Sequence, residues 1–229
     1  MDNDKKLWDY HQTINAENLI MGNPRQDILF KKIKKIFKKG KILEIGFGNG
    51  YLLKKLSNQF DCYGADISYE NIEQMKKVIP EVKFNLIDVD GKLPYKKDFF
   101  DVFIASEVLE HMTNDELDLN IKEIYRVLKK GGYAIITFPV NEKLKDNECF
   151  CSNCGEIFHK WGHKQTWNIK KIKSKFKDFE ITEVKEFFTP FKSNNYFENL
   201  IGLIMFLMRN FLNIFLSIPN KNYLLIIKK

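Results

Sequence analysis

The 229 residues contain no internal repeat and no low-complexity linker, so a single packed domain is expected. A phosphate loop closing in GK[ST] is missing, and an NTPase is disfavoured accordingly. The opening stretch, MDNDKKLWDYHQTINAENL, lacks the apolar core of a secretory signal, and a cytoplasmic protein is the expectation. Cysteine is scarce. In such a compartment the four that are present read as thiols or metal ligands rather than as a disulfide framework.

Hydrophobic residues make up 44% and charged residues 29%, which suits a globular chain long enough to bury a core. The net charge is +7, but the lysines mostly fall on faces opposite buried ones. Phosphate-bearing partners or an anionic membrane surface are therefore permitted, not required. QDILFKKIKKIFKKGK is an example: Leu29, Ile33, Ile36 and Phe37 share one helical face and lysines the other.

From Lys41 onward, short apolar runs alternate with segments of helical period. Strands are predicted at 41–45, 61–66, 83–88, 100–106 and 133–139, with helices starting near Gly50, Tyr69 and Thr113. The last of these helices is expected to run to a stop at Gly131-Gly132. A Cys- and His-rich stretch follows, then a helix near 168–177, a strand at 179–188, an apolar segment at 196–218 and a terminal strand. The βαβαβ order points to a mostly parallel, doubly wound sheet, whose ligands bind beyond the carboxyl ends of the strands.

EIGFGNG places Gly46, Gly48 and Gly50 where a strand passes into a helix, allowing positive φ and close approach of a ligand. Alone, such a pattern also fits a plain tight turn or another nucleotide site. Asp66 at the end of the second strand could accept from ribose hydroxyls. Asp88, at the end of the third, could reach an exocyclic amine of adenine. A nicotinamide dehydrogenase shares the acid after strand two and stands as a rival.

EIGFGNG, GADIS, LIDVDGKLPYKKDFFDVFIASEVLEHM and VLKKGGYAIITFP together resemble the successive motifs of class I S-adenosylmethionine-dependent methyltransferases over about residues 40–140. The resemblance implies a Rossmann-like α/β sheet of seven strands with the last one antiparallel. It also implies S-adenosylmethionine as cofactor, with Glu44, Gly46 and Gly48 at the methionine end, Asp66 at the ribose and Asp88 at the adenine. On that basis residues 1–229 form one methyltransferase domain: a helical cap (1–40), the cofactor-binding core (41–139), a Cys/His insertion (140–166) and a C-terminal part (167–229) carrying an apolar helix at 196–218.

SEVLEHM offers Glu107, Glu110 and His111, which share one face if a helical turn starts there. Two carboxylates and an imidazole suit Mg²⁺, Mn²⁺ or Zn²⁺. His163 in GHKQTW follows the fifth strand. Glu-x-x-Glu-His with a later His resembles the ubiquinone-pathway O-methyltransferases and the small-RNA 3′-end 2′-O-methyltransferases. That resemblance implies a catalytic ion on Glu107, Glu110, His111 and His163 that grips an acceptor oxygen and lowers its pKa. The bland alternative makes His111 a structural histidine and gives His163 to the cysteines.

CFCSNCGEIFH supplies Cys149, Cys151, Cys154 and His159, four N/S ligands for a closed structural Zn²⁺ site. Cys151, Cys154, His159 and His163 form a more compact set, and the two metal schemes compete for His163. No thioredoxin-like pattern surrounds the CxxC, so redox chemistry is the lesser reading. Cys62 reads as core. The insertion also resembles one in bacterial methyltransferases of surface-polysaccharide and natural-product clusters, an analogy bearing on acceptor class alone.

Trp8, Tyr10 and His11 could cover the cofactor or simply pack, and Arg25 is an isolated cation that could meet a carboxylate, a phosphate or only solvent. The apolar run 196–218 is interrupted by Arg209, Asn210 and Asn213; packing over the site or against a second subunit is the first expectation, insertion at a membrane surface the second, and a spanning helix the third, because a strand is expected to follow it. The reading as a whole is O-methylation of a small-molecule or glycan-precursor acceptor. RNA 2′-O-methylation is the enzymatic alternative. Two further readings are a non-catalytic cofactor-binding or membrane-surface module and a zinc-dependent interaction protein.

Overall fold

A computed structural model describes residues 24–88, 90–187 and 221–229. Within them, helix α1 (Pro24–Ile36) precedes β1 (Lys41–Ile45), α2 (Tyr51–Ser57), β2 (Asp61–Asp66), α3 (Tyr69–Val78), β3 (Lys83–Leu86) and β4 (Phe100–Ser106). A 3₁₀ turn (Leu109–His111), α4 (Asn114–Val127) and β5 (Leu128–Pro139) complete the first part. A second 3₁₀ turn (Leu144–Asn147), the hairpin β6 (Glu148–Phe150) and β7 (Ile157–His159), α5 (Ile169–Lys175), β8 (Glu180–Phe187) and β9 (Asn222–Lys228) follow. The aromatics Trp8, Tyr10 and His11 and the apolar run 196–218 lie outside the described residues. Among the described residues no helix is long and apolar enough to cross a membrane.

The main sheet has seven strands in the order β3-β2-β1-β4-β5-β9-β8, with β9 antiparallel to both β5 and β8. This is the doubly wound α/β arrangement expected, with the terminal strand inserted between the fifth and the preceding one. Alternation along the strands sorts side chains to two cores. Ile42, Val102, Ile104 and Ile135 meet Leu29, Ile33, Leu52, Leu53, Ile72 and Met75 from α1, α2 and α3. Leu43, Ile45, Phe103, Ala105 and Ile136 meet Leu117, Ile121 and Ile124 of α4 and Ile172 of α5 on the opposite face. Strands covered on both faces carry near-continuous apolar runs, which is how KILEI and FDVFIAS read.

Local chemistry sets the helix starts. Ser68 accepts the Asn71 N–H ahead of α3, and Thr113 and Glu116 form a reciprocal capping box ahead of α4. One expected stop is corrected. Helix α4 ends at Val127, not at Gly131-Gly132, because Leu128 already pairs with Phe100 of β4. The register against β4 then shifts in a bulge over residues 129–132 before Tyr133 pairs with Val102; Gly131 there has φ +79° and its N–H donates to the Lys229 carbonyl. The third strand also stops at Leu86, two residues short of the expected end, leaving Asp88 exposed beyond it.

The order reverses between β1 and β4, so the crevice beyond their carboxyl ends is the natural ligand site. The glycine turn and the Glu107–His111 turn emerge there side by side.

Candidate active site

The turn after β1 carries Gly46, Gly48 and Gly50 at φ +59°, +52° and +68°. A β-carbon at Gly48 would meet nothing within 4 Å, so the backbone there faces open space where a ligand can approach. Glu44 shares the sheet face of Ile42 and is 2% exposed, with Oε2 buried and unbonded. Burial pushes its carboxyl up to about 8. A cationic ligand group would relieve that penalty, so the donor set fits the ammonium end of S-adenosylmethionine. Asp66, also buried, accepts from the backbone N–H of Ser68 (3.0 Å) and from Asn71 Nδ2 (3.3 Å). Asn71 Nδ2 also donates to the Gly48 carbonyl at 3.1 Å, tying the glycine turn to the second strand end. Sequence reasoning missed Asn71; its signal was the position three residues after the Ser68 cap.

Beyond β4, Glu107 adopts φ +57°, a conformation that L side chains rarely take and that marks this turn as constrained. Its backbone N–H is held by the Thr137 carbonyl at 3.0 Å. Arg25 from α1 meets it: Nη1 lies 3.5 Å from Glu107 Oε2, and Nε donates to Ser106 Oγ at 3.1 Å. The cation left open by the sequence thus reaches the start of the Glu107–His111 turn.

Glu110 is fully buried, and neither carboxylate oxygen has a hydrogen-bond partner. Burial first, and the neighbouring Glu107 carboxylate second, hold its carboxyl well above the usual range. Its backbone carbonyl accepts from the N–H groups of Lys164 (2.7 Å) and Gln165 (2.9 Å). These two bonds carry the segment after the hairpin onto the Glu107–His111 turn. Trp167 anchors the same segment, fully buried and stacked on Phe138 at 4.3 Å between centroids. The result is a group of Glu110, His111 and His163 whose ligand atoms lie within 4.8 Å of one another. The His111 and His163 rings meet edge to face at 4.7 Å, with His111 Nδ1 3.3 Å from the Gly162 carbonyl. Three of the four expected acceptor-site residues come together, and Glu107 stands outside that group, beside Arg25. Carboxylate oxygen with two imidazoles suits a divalent ion, which would satisfy the buried Glu110 oxygens.

The expected Cys149, Cys151, Cys154 and His159 set does not gather. Among the described residues, the groups close enough to share an ion contain no cysteine. The hairpin register explains the separation. Glu148 pairs with His159 and Cys149 with Phe158, so side-chain alternation sends Cys149 and His159 to opposite faces. Cys151 and Cys154 do meet at the hairpin tip, where the backbone N–H of Cys154, then that of Asn153, and the Cys154 thiol hold the Cys151 thiol below its usual range. His159 instead joins Glu142 and His163. Cys62 is core as expected, its thiol pushed up to about 12 chiefly by burial.

Glu142 was not singled out in the sequence. His163 Nδ1 lies 2.5 Å from its Oε2, His159 Nε2 3.4 Å from its Oε1, and Asn147 Nδ2 donates to Oε1 at 3.0 Å. Burial works to raise this carboxyl, but the His163 hydrogen bond and the two nearby rings outweigh it and hold it low. Burial lowers the pKa of His159, favouring its neutral form.

Comparison with known proteins places this geometry in context. Residues 43–136 match the family described as "Methyltransferase domain". An uncharacterised protein of Methanocaldococcus jannaschii is 32% identical over 166 residues, spanning 70% of this chain and 68% of that one. The mitochondrial ubiquinone biosynthesis O-methyltransferase of Rattus norvegicus is 33% identical over 105 residues, 42% of this chain but 30% of its own length. The chain therefore spans less than a third of that curated methyltransferase. A solved structure from Bacillus halodurans, described as a putative methyltransferase, superposes with TM-score 0.61 at 15% identity, covering 87% of this chain and 98% of that one. With the glycine turn, the strand order and the matched segment all in register, the chain belongs to the class I S-adenosylmethionine-dependent methyltransferases.

Proposed function

We propose that the chain moves the methyl group of S-adenosylmethionine to an oxygen of a small-molecule or glycan-precursor acceptor, with a divalent ion at the acceptor side. The observation that carries the oxygen preference is the buried Glu110 carboxylate, unbonded at both oxygens and grouped with His111 and His163. Glu44, Gly46 and Gly48 would hold the methionine end of the cofactor, Asp66 the ribose and Asp88 the adenine edge. An ion on Glu110, His111 and His163 would lower the pKa of a bound hydroxyl and orient its oxygen for in-line attack on the methyl carbon. The carbon–sulfur bond breaks as the carbon–oxygen bond forms, and the hydroxyl proton leaves to solvent or to a site base. Glu107 would serve the same acceptor pocket while its charge is balanced by Arg25.

The similarity to an enzyme named as an O-methyltransferase supports the same acceptor atom. The test is a screen of hydroxylated small molecules and sugar nucleotides with labelled S-adenosylmethionine, with and without Mg²⁺ or Mn²⁺, in wild type and Glu110→Gln. Ion-dependent label transfer to oxygen in wild type, lost in the variant, is expected. Transfer that ignores both the ion and the variant, or transfer only to RNA, would overturn the reading.

A further inference from the structure

The Cys/His-rich insertion was expected to bind zinc, yet both of its histidines, His159 and His163, lie against the Glu142 carboxylate. His159 Nδ1 accepts hydrogen bonds from the backbone N–H of Trp161 (3.3 Å) and of His163 (3.0 Å). A nitrogen that accepts carries no proton, so in the neutral ring the proton sits on Nε2. That nitrogen is buried, makes no aligned hydrogen bond and lies 3.4 Å from Glu142 Oε1. A protonated Nε2 has no lone pair for a metal. Glu142, His159 and His163, although near enough to share an ion, are thus better suited to share protons.

The same carboxylate meets the second histidine through its other oxygen, with Oε2 2.5 Å from His163 Nδ1. A carboxylate accepts, so the His163 proton lies on Nδ1 and its lone pair on Nε2. The His159 and His163 rings stack at 4.8 Å, and the His163 ring also meets the His111 ring edge to face, with Glu110 close by. The side chains of His159, Glu142 and His163 are 7%, 13% and 12% exposed, so little water competes for these contacts.

We infer that Glu142 is a positioning residue: clamped between the hairpin's His159 and His163, it fixes the His163 tautomer and presents the Nε2 lone pair to Glu110 and His111. The insertion acts on the acceptor site through this clamp. A carboxylate behind a histidine is the arrangement that orients an imidazole and raises its basicity toward an ion or a proton on its other nitrogen. Asn147, from the 3₁₀ turn before β6, bonds Glu142 Oε1 and ties the clamp to the start of the hairpin. The inference rests on the reading of His163 as an acceptor-site group.

The test uses the full chain, whose four histidines make side-chain ¹⁵N spectra assignable. Long-range ¹H–¹⁵N correlations on wild type should show His163 with its proton on Nδ1 and His159 with its proton on Nε2. In Glu142→Ala the His163 signal should move toward averaged tautomers. Mn²⁺ affinity, read by electron paramagnetic resonance, should fall about 10- to 100-fold in that variant. Glu142→Asp should recover most of the loss, and S-adenosylmethionine binding should hold in all three proteins. A wild-type His163 protonated on Nε2, or unchanged Mn²⁺ affinity in Glu142→Ala, would overturn the inference. If wild type binds no Mn²⁺, the ion reading fails by itself. The tautomer then decides the clamp alone, with Nδ1–H sustaining it as the orientation of a proton-accepting histidine.

Discussion

Gly46 and Val108 press the two halves of the site together: a β-carbon on Gly46 would lie 2.7 Å from Val108 Cγ2. The glycine turn after β1 and the Glu107–His111 turn after β4 are therefore in contact, consistent with the parallel β1–β4 pairing.

Gly46→Ala should suffer twice, from the contact with Val108 and from φ +59°, which an alanine adopts only under strain. A loss of about 2 kcal/mol in stability is expected, with S-adenosylmethionine affinity reduced more than tenfold. Adding Val108→Ala removes the clash but leaves the backbone strain, so it should recover part of the stability and not all. A double-mutant cycle by urea unfolding measures the split. Full recovery would show that the dihedral costs nothing.

Glu44 links cofactor binding to pH. Its folded carboxyl is raised from 4.5 to about 8, so without ligand the folded state keeps a proton that the unfolded chain releases above its ordinary value. Stability should therefore fall as pH rises between about 4.5 and 8, by about 1.4 kcal/mol per unit at the steepest. Glu44→Gln has no such proton, and its stability curve should be flatter and lie above wild type at pH 8. A cofactor ammonium beside Glu44 would favour the ionised form, so binding near pH 6.5 should release a proton. Calorimetry in two buffers of different ionisation heat reads that release directly. Equal heats would mean that the carboxyl stays protonated in the complex.

How far the sequence disclosed this molecule depends on the range of the signal. Strand positions were legible because residues such as Ile42 and Val102 sit in runs apolar on both faces, a pattern local to five or seven residues. The end of α4 was not, because the residue that takes over at Leu128 is Phe100, on another strand. Glu110 and His111 were legible as neighbours on one turn. Glu142 was hidden in the polar stretch NEKLKD, and its partner His163 lies 21 residues away, brought back only by the hairpin and by Trp167 stacking on Phe138. Cys149 misled for the opposite reason: close spacing to Cys151 suggested one site, while strand alternation against β7 separates it from His159.

Glu110→Gln should separate stability from ion binding. The wild-type carboxyl is buried, without hydrogen-bond partners and close to the Glu107 charge, so an uncharged isostere removes a folding penalty that grows with pH. The variant is expected to melt a few degrees above wild type at pH 8 and to bind Mn²⁺ at least tenfold more weakly. Thermal unfolding and Mn²⁺ titration on the same preparations check both. A variant that is less stable would assign Glu110 a structural partner instead.

The thiols distinguish the two accounts of the insertion. Cys151 sits half-exposed at the hairpin tip with its thiol lowered by the N–H groups of Cys154 and Asn153, whereas Cys62 is buried and its thiol is pushed up to about 12. Thiolate is the reactive form, so a disulfide reagent at pH 7 should consume Cys151 first, and Cys62 should react only on unfolding. Cys149, facing away from His159, should react alike with and without a chelator, and Cys149→Ser should leave bound metal unchanged. A native chain in which Cys149, Cys151 and Cys154 are protected together and released together by chelation would instead mean that the hairpin rearranges around zinc. In that case His159 would have to leave Glu142, and the clamp on His163 would open with it.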